Sequence, residues 1–332
     1  MSFLRYTLRR VAQIVPILVG VGTLTFFLTN AIPGNPVDIL IGPDVSPARR
    51  EALIVRYGLD EPIYERYVNY MLSAAQGDLG RSIHYKKPVS DAILDRLPVT
   101  MLLVGSAYAF GLGLAIPFGV LSAANRNEWV DHVSRVVALF GVSTPSFWIG
   151  LVLIILFAFH LGWLPSSNMV FPWAAPGAVD GAATRLEVLV LSFKHLLLPT
   201  IALGTLQMAS VMRIERSSML ETLHSEYVDL ARAYGVPERT ILRRQAFRPA
   251  QLPVVTIVGL NLSTALGGSV LIETVFNING MGLLIITAIQ SRDYPLVMGT
   301  TLVFAAIFLV GVLITDLSYA YIDPRVSYGE GE

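Results

Sequence analysis

The sequence of 332 residues contains no cysteine and is poor in charged residues. Without cysteine, the chain can form neither disulfide bonds nor thiolate metal sites. Charged residues make up 14% of the chain, whereas ordinary soluble domains have about 25%. The formal net charge is zero, so the overall charge indicates no particular class of partner. In contrast, 54% of the residues are hydrophobic, which is typical of a protein that lies in a membrane.

Motifs for catalysis and nucleotide binding are also missing. Glycine is nowhere followed by lysine, so the sequence lacks the P-loop that holds nucleotide phosphates. The His-Glu-x-x-His pattern of zinc proteases does not occur, nor does an exposed Gly-x-Ser-x-Gly pattern. The five histidines are scattered and form no metal-binding pattern. The sequence therefore predicts that this chain is not an enzyme and that it holds neither a cofactor nor a metal ion.

The apolar residues gather into six long runs. These runs lie at residues 11–31, 99–123, 136–159, 188–212, 252–272 and 296–315. Each is long enough to cross a hydrocarbon core about 30 Å thick, which takes about 20 helical residues. The alternating pattern of an outer-membrane β-barrel is absent. The sequence therefore predicts an all-α integral membrane protein with six transmembrane helices.

The first apolar run has two interpretations. Arg5, Arg9 and Arg10 precede it, which is also the arrangement found in a secretory signal peptide. However, the run is longer than the apolar region of a typical signal peptide, and residues 32–36 make a poor cleavage site. We therefore interpret residues 1–32 as a cytoplasmic N-terminus followed by the first transmembrane helix.

The distribution of arginine predicts the orientation of the chain. Seven arginines lie in segment 213–250, and Arg126 and Arg135 lie between the second and third runs. The short segments on the other side of the membrane hold only three basic residues. Because short cytoplasmic segments are rich in lysine and arginine, we expect both termini in the cytoplasm, including the tail at residues 321–332.

Residues 33–98 form an extracytoplasmic segment that we expect to be partly helical. Ser46-Pro47 is typical of a helix start and Gly58 of a helix end. Pro62 then starts a second helix, which residues 77–80 end. The side chains expected on one face of this second helix are Ile63, Tyr67, Tyr70 and Met71. The segment fits two roles equally well, either a cap over the mouth of the bundle or a contact surface for an outside partner.

Within the core region 99–320, the cytoplasmic segment 213–250 carries a clear helical pattern. Apolar side chains recur there at steps of three and four residues, as on one face of a helix. They are Leu220, Leu223, Tyr227, Leu230 and Tyr234. Gly235 is typical of the residue after a helix end, and Pro237 of the start of a second, arginine-rich helix. The sequence predicts a helical hairpin whose first helix covers residues 220–236.

Three interpretations fit this hairpin. It is an amphipathic helix held on the inner leaflet by its arginines, a DNA-binding helix-turn-helix, or a docking element for a separate cytoplasmic ATPase. Residues 229–240 superficially resemble a helix-turn-helix, but the short links to spans on both sides leave little freedom to enter a major groove. We favour the docking element, because a rigid hairpin transmits the movement of a soluble motor to the spans, and we expect no contact with nucleic acid.

The hairpin resembles the EAA-type coupling loop of ABC importer permeases. Asp229, Leu230 and Ala231 stand where that motif has Glu-Ala-Ala. Gly235 matches its glycine, and Leu252-Pro253 resembles its closing Leu-Pro. The leading Asp-Leu and the longer stretch before Leu-Pro depart from the general pattern and are similar to the peptide/nickel branch of these permeases. Further stretches similar to this branch lie at residues 8–10, 32–36, 77–80, 144–150, 267–276, 280–282 and 292–295.

The resemblance covers nearly the whole chain and implies the fold of a type I ABC importer permease in the cell membrane of a prokaryote. It implies the first of two permease subunits in a dipeptide or oligopeptide importer. The implied partners are a second six-span permease subunit, two ABC ATPase subunits that bind ATP and Mg, and an extracytoplasmic substrate-binding protein. From the helical pattern and this resemblance together, the residues predicted for ATPase coupling are Leu220, Leu223, Glu226, Tyr227, Asp229, Leu230, Ala231, Arg232, Ala233, Tyr234 and Gly235.

Other functions remain as alternatives. A permease of the same branch with nickel chelates or glutathione as cargo has the same sequence features. A stand-alone channel or secondary carrier needs ionisable residues deep in its spans, and these spans have almost none, since Glu273 and Asp316 lie at their ends.

Polar and small residues in the spans are candidates for a translocation path. Such residues face either a neighbouring helix or a water-filled passage. The candidates are Gln207, Asn261, Thr264, Gly267, Gly268, Ser269 and Glu273. In the fifth span they also fit close helix packing, and the two roles are compatible on different faces. Glu273 fits either an outer gate that binds a peptide amine or an acid at the membrane interface.

Overall fold

The computed structural model of the protein describes residues 3–31, 51, 55 and 60–322. Its helices are α1 (Phe3–Ala31), α2 (Ile63–Ala75), α3 (Val89–Ala124), α4 (Trp129–Ser143), α5 (Ser146–Leu153), α6 (Arg185–Leu223), α7 (Glu226–Ala233), α8 (Glu238–Thr240), α9 (Phe247–Val275), α10 (Met281–Gln290) and α11 (Tyr294–Ile322). Two π-helical segments, Ile154–His160 and Ile241–Ala246, follow α5 and join α8 to α9. In the described ranges the only strand-like pairings are two isolated β-bridges, so the predicted all-α class is confirmed.

Four of these helices, α1, α3, α6 and α11, are individually long and apolar enough to cross a membrane. Two further pairs of helical segments are long and apolar enough to cross a membrane only when the two members of each pair are taken together. Each pair is bent, by 103° within 129–160 and by 49° within 238–275. Counting each bent pair as one span gives the six spans that the sequence predicts. Helix α6 extends eleven residues beyond the fourth apolar run, because its C-terminal part reaches into the predicted hairpin.

The third apolar run is not one continuous helix, contrary to the prediction. It is divided between α4 and α5 by Thr144 and Pro145, and the chain turns there by 103°. Proline lacks a backbone N–H and disfavours helical backbone at the residue before it. Thr144 accordingly has extended dihedral angles, so the helix ends before the proline and a new one begins after it.

The helix predicted after Pro62 is present as α2 and has Pro62 at its N-cap position. Tyr67 forms a 2.7 Å hydrogen bond with Thr23 of α1, and Tyr70 stacks on Phe26. These contacts show that Tyr67 and Tyr70 pack along α1, and Met71 lies beside Gly22 of the same helix. Ile63, which was expected on this face, is instead 47% exposed. The helix predicted between Ser46-Pro47 and Gly58, and the tail beyond residue 322, lie outside the described residues.

The chain forms two compact units. One consists of residues 8–98 and 279–310, and the other of residues 1–7, 99–278 and 311–332. In the first unit, the start of α3 packs with α10 and the start of α11 around a buried apolar cluster. In the second unit, α4, α5 and α9 pack against α6. The second unit holds the predicted hairpin and all the candidate path residues.

A buried aspartate organises the loop before α3 in the first unit. Asp293 accepts hydrogen bonds from the Ser82 hydroxyl at 2.5 Å and from the His84 amide at 2.9 Å. Its other carboxylate oxygen accepts from the Leu296 amide, at the start of α11, at 3.2 Å. The carboxylate is fully buried, so these three donors replace its lost hydration.

We predict that Asp293→Ala destabilises the purified protein by about 3 kcal/mol, because it leaves buried hydrogen-bond donors without an acceptor. The thermal unfolding midpoint in detergent measures this effect. Asp180→Ala is the matched control, since Asp180 is exposed and has no hydrogen bond within the described part of the chain. Equal midpoints for the two variants would contradict the structural role of Asp293.

Candidate functional site

The predicted first helix of the hairpin is broken, which corrects the expectation of one helix over residues 220–236. Helix α6 ends at Leu223, and the separate helix α7 begins at Glu226. Ser225 lies at this break, and its hydroxyl donates to the Thr222 carbonyl at 2.6 Å. Ser and His side chains compete with the helical backbone for hydrogen bonds, and His224 likewise bonds back to the Leu220 carbonyl at 2.6 Å.

The break divides the predicted apolar face between two environments. Leu223 is buried, and Leu220 packs against the same cluster at the end of α6. Tyr227, Leu230 and Tyr234 are instead 47%, 58% and 81% exposed. Helix α7 buries its opposite face through Val228 and Ala231, which the sequence pattern did not identify as the inner face.

Helix α7 therefore presents an apolar face to the surroundings while its inner face is fixed. Val228 and Ala231 pack with the end of α3, the end of α6 and the start of α9. We call the exposed side chains of Tyr227, Leu230 and Tyr234 the α7 face. Glu226, Asp229 and Ala233 are also exposed and flank it. An exposed apolar set on a rigid element is typical of a contact surface for another protein.

The end of α7 is fixed as predicted from Gly235. This glycine has φ +74°, a left-handed conformation that side chains other than glycine rarely adopt. The Val236 amide donates to the Ala231 carbonyl at 3.1 Å, and the Gly235 amide donates to the Arg232 carbonyl at 2.9 Å. These two bonds form a Schellman motif, which turns the chain towards α8.

Arg232 connects the three segments of the hairpin. It donates to Glu238 of α8 at 3.1 Å, to Asp229 of α7 at 3.0 Å and to the Leu223 carbonyl of α6 at 3.1 Å. The hydrogen bonds to Glu238 and Asp229 raise the pKa of Arg232 above its usual value. The pairs are partly exposed and so contribute little stability, but they fix the angle between α7 and α8.

Beneath the hairpin, polar contacts tie α6 to α9. Gln251 donates to both carboxylate oxygens of Glu215 at 3.0 Å, and the Ser218 hydroxyl donates to the Ala250 carbonyl at 2.9 Å. Glu215 is fully buried and lies directly against Gly119 of α3. These contacts join α6 to α9 and to α3 directly beneath the hairpin.

A second buried carboxylate joins the turn between α3 and α4 to α6. Arg216 binds both oxygens of Asp131, at 2.6 and 2.9 Å. The Ser122 hydroxyl and the Asn127 amide also donate to Asp131, at 2.7 and 3.0 Å. All four donors are needed because Asp131 is completely buried.

The sequence analysis identified neither Asp131 nor Glu215. Both acids lie close to apolar runs, and the side chains of Arg216 and Gln251 that bind them lie 85 and 36 residues away in the sequence. A charge next to an apolar run was the available signal, but only the packing distinguishes a buried, paired acid from an exposed one.

Two of the candidate path residues come together inside the second unit. The Gln207 amide donates to the Asn261 carbonyl at 3.3 Å, and the Asn261 amide donates to the Ser210 hydroxyl at 2.6 Å. Gln207 is almost completely buried, and its side-chain oxygen has no hydrogen-bond partner among the described residues. This polar cluster lies between α6 and α9, which both form spans.

The remaining candidate path residues lie further along α9, and their surroundings differ. A Cβ on Gly267 would meet no atom within 4 Å, whereas one on Gly268 would lie 3.2 Å from Leu203 of α6. Gly267 thus faces open space and Gly268 packs against a helix. Ser269 is buried and bonds within its own helix. The side chain of Thr264 lies outside the described residues.

Glu273 ends this series near the C-terminus of α9. It is completely buried and accepts a 2.6 Å hydrogen bond from Thr100 of α3. Its carboxylate therefore joins α9 to α3 in this conformation.

Comparison with known proteins gives consistent results along the whole chain. Residues 115–328 match the profile of a family described as binding-protein-dependent transport system inner membrane component, and residues 3–104 match the N-terminal profile of such components. The chain belongs to this family. It is therefore an integral, multi-pass transport permease of the inner membrane, and not an enzyme.

Full-length relatives agree with this assignment. The permease is 38% identical to the oligopeptide transport system permease protein AppB of Bacillus subtilis over 324 residues, which cover 97% of this chain and 99% of the relative. It is 39% identical over 332 residues to the dipeptide transport system permease protein DppB of Alkalihalophilus pseudofirmus, with 98% and 100% covered. DppB of Escherichia coli is 37% identical over 336 residues, with 98% and 99% covered.

The contact between Gly119 and Glu215 yields a prediction about the region beneath the hairpin. A Cβ at position 119 would lie 2.6 Å from the Glu215 Cγ and 3.1 Å from the Met212 carbonyl oxygen. We expect Gly119→Ala to destabilise the permease by about 1–3 kcal/mol through overpacking, as measured by thermal unfolding in detergent.

Gly113→Ala is the matched control for this prediction. Gly113 lies in the same helix, and a Cβ there would meet nothing within 4 Å. Removing a helical glycine at an open site is expected to leave stability unchanged or raise it by up to about 1 kcal/mol. If Gly119→Ala behaved in the same way, the close packing of α3 on Glu215 would be refuted.

Proposed function

We propose that this permease is one of two six-span subunits of an ABC importer for dipeptides or oligopeptides. A second permease subunit completes the translocation path, two separate ATPase subunits bind ATP and Mg, and an extracytoplasmic binding protein delivers the cargo. The family itself is that of binding-protein-dependent transport components. Relatives at 37–39% identity over their full length carry the names of dipeptide and oligopeptide permeases, and this supports peptide cargo.

The α7 face is the observation that carries the coupling proposal. Its three aromatic or aliphatic side chains are exposed, whereas the other face of α7 packs into the buried cluster with α3, α6 and α9. Insertion of this face into a cleft of an ATPase subunit would bury it. The DNA-binding alternative is less favourable, because α8 has only three residues and continues through a π-helical segment into α9. It is therefore not free to enter a groove.

Coupling requires that movement of α7 reach the spans without being absorbed. Arg232 fixes α7 to α8 and to the end of α6, and Glu215 fixes α6 to α9. In our proposal, ATP binding closes the two ATPase subunits and displaces α7. Helices α6 and α9 then move with it, and the path alternates between an outward-open and an inward-open state.

The path in this proposal runs beside the polar cluster between α6 and α9. The side-chain oxygen of Gln207 has no hydrogen-bond partner in the described part of the chain, and Gly267 faces open space on α9. Neutral hydrogen-bonding groups suit a peptide backbone, which carries both donors and acceptors. Glu273 is a candidate gate residue, because its bond to Thr100 joins α9 to α3.

The orientation proposed from arginine places α7 on the cytoplasmic side. Both termini are then cytoplasmic, and the arginines of the α6–α9 connection lie where ATPase subunits are accessible.

We predict that Leu230→Asp uncouples transport from ATP hydrolysis while membrane insertion is preserved. A carboxylate at the centre of the α7 face would remain unpaired in an apolar cleft. Peptide uptake and ATP hydrolysis should be measured together in vesicles with the reconstituted complex. Uptake is expected to fall at least about tenfold, as for loss of a buried contact worth more than about 1.4 kcal/mol.

Ala124→Asp is the control for charge alone. Ala124 is exposed at the end of α3, outside α7, so uptake should stay near that of the wild type. Normal uptake by Leu230→Asp would refute docking through the α7 face. Uptake that persists without any ATPase subunit would instead favour a stand-alone carrier.

The cargo is tested separately in the same vesicles. With the cognate binding protein present, we expect ATP-dependent uptake of a labelled dipeptide or oligopeptide. Excess unlabelled peptide should compete, whereas a nickel chelate or glutathione should not. Uptake of nickel chelate or glutathione in place of peptide would contradict the peptide assignment and leave the coupling proposal unaffected.

A further inference from the structure

A cavity of about 700 Å³ lies between α4 and the C-terminal half of α6, within the second unit. It is separate from the α7 face and from the polar cluster around Gln207. The residues that line it include His132, Arg135 and Arg213 but no aspartate or glutamate. Arg135 and Arg213 therefore make this part of the wall between the two helices positively charged.

Two of the arginines in this cavity have no acidic partner among the residues that the structure describes. Arg135 and Arg213 are exposed and have neither a hydrogen bond nor an ion pair within the described parts of the chain. Arg216 also lines the cavity, but Asp131 binds it through both oxygens. Asp131 is buried and already accepts four hydrogen bonds, so it is not available to Arg135 or Arg213.

The other part of the cavity is apolar. Val136, Leu139 and Val142 follow one another at steps of three residues along α4, and all three are exposed. The cationic groups lie near the Asp131–Arg216 end of the α4–α6 contact. The apolar groups extend towards the other end, where Gly141 packs on Ala209. The cavity is thus positive at one end and apolar along its length.

We propose that this cavity binds an anionic phospholipid. Its phosphate lies between Arg135 and Arg213, and an acyl chain follows Val136, Leu139 and Val142. Basic pockets between transmembrane helices bind anionic lipid head groups, and the apolar wall provides the surface that an acyl chain covers. A free phosphate ion would contact only the arginines and would leave the apolar wall of the cavity unoccupied.

Bound lipid would join α4 to α6 beside the Asp131–Arg216 pair. The site does not depend on the identity of the cargo or on docking of an ATPase. The lipid proposal can therefore be refuted without refuting the proposed function, and the reverse also holds.

The test is a titration of the purified transporter complex with phosphatidylglycerol, observed by native mass spectrometry, with phosphatidylcholine as the neutral lipid. We expect wild-type complex to retain phosphatidylglycerol in preference to phosphatidylcholine. Arg135→Gln combined with Arg213→Gln should weaken retention about 25-fold, because each arginine near an anionic lipid contributes a factor of about five. Arg135→Lys combined with Arg213→Lys should keep most of the affinity, which also shows that the site tolerates substitution.

Arg243→Gln combined with Arg248→Gln is the matched control. These arginines are exposed and lie outside the cavity, and the change in net charge is the same. Equal loss of lipid in both double variants would overturn the proposal, since binding would then follow charge alone. Displacement of the lipid by millimolar inorganic phosphate would also overturn it and assign the arginines to a free anion.

A photoreactive phenylalanine derivative in place of Leu139 identifies the occupant of the apolar wall directly. An adduct with the mass of one phospholipid is the expected result. A cross-link to another protein subunit would show that a protein covers this wall and would refute the lipid site.

Discussion

Helix α6 packs very closely against its neighbours because glycine lies where the helices cross. A Cβ on Gly204 would lie 2.7 Å from the Ala107 carbonyl oxygen of α3, and one on Gly141 of α4 would lie 2.7 Å from the Ala209 Cβ. In lipid, the hydrophobic effect does not drive apolar helices to associate. Close van der Waals contact and interhelical hydrogen bonds hold them together instead. The rest of the second unit depends on this packing, because α6 carries Gln207 in its middle and leads to α7 at its end.

The rigidity of α7 follows from that support. A helix of eight residues is not stable alone in water, so α7 exists because Val228 and Ala231 pack into the cluster formed by its neighbours. On its exposed face, only the Tyr227 hydroxyl has a hydrogen bond to another segment among the described residues, to the Gln245 carbonyl at 3.3 Å. In the proposed coupling, the packed inner face holds α7 in place while the exposed face contacts an ATPase subunit.

Polar and charged side chains buried beside α6 have a related role. The Asp131–Arg216 pair and the Glu215–Gln251 contact each connect α6 to a different element. Buried ionic groups are not strong sources of stability, but removing one partner is costly because the other is left unpaired. They therefore specify one arrangement of α4, α6 and α9, and the cationic cavity beside Asp131 lies within the same arrangement.

The apolar runs determined the all-α membrane class, and Gly235 determined where the first helix of the hairpin ends. They did so because a bilayer imposes length and composition on each span, and because a left-handed backbone selects glycine locally. Tertiary structure decided the break at Ser225, the burial of Leu223 beside the exposure of Leu230, and the pairing of Asp131 with Arg216. A helical repeat shows that side chains share a face, but only the neighbouring helices determine whether that face is covered. The physical reason is that burial and ion pairing depend on residues distant in sequence, and such contacts form only when α3, α4, α6 and α9 pack together.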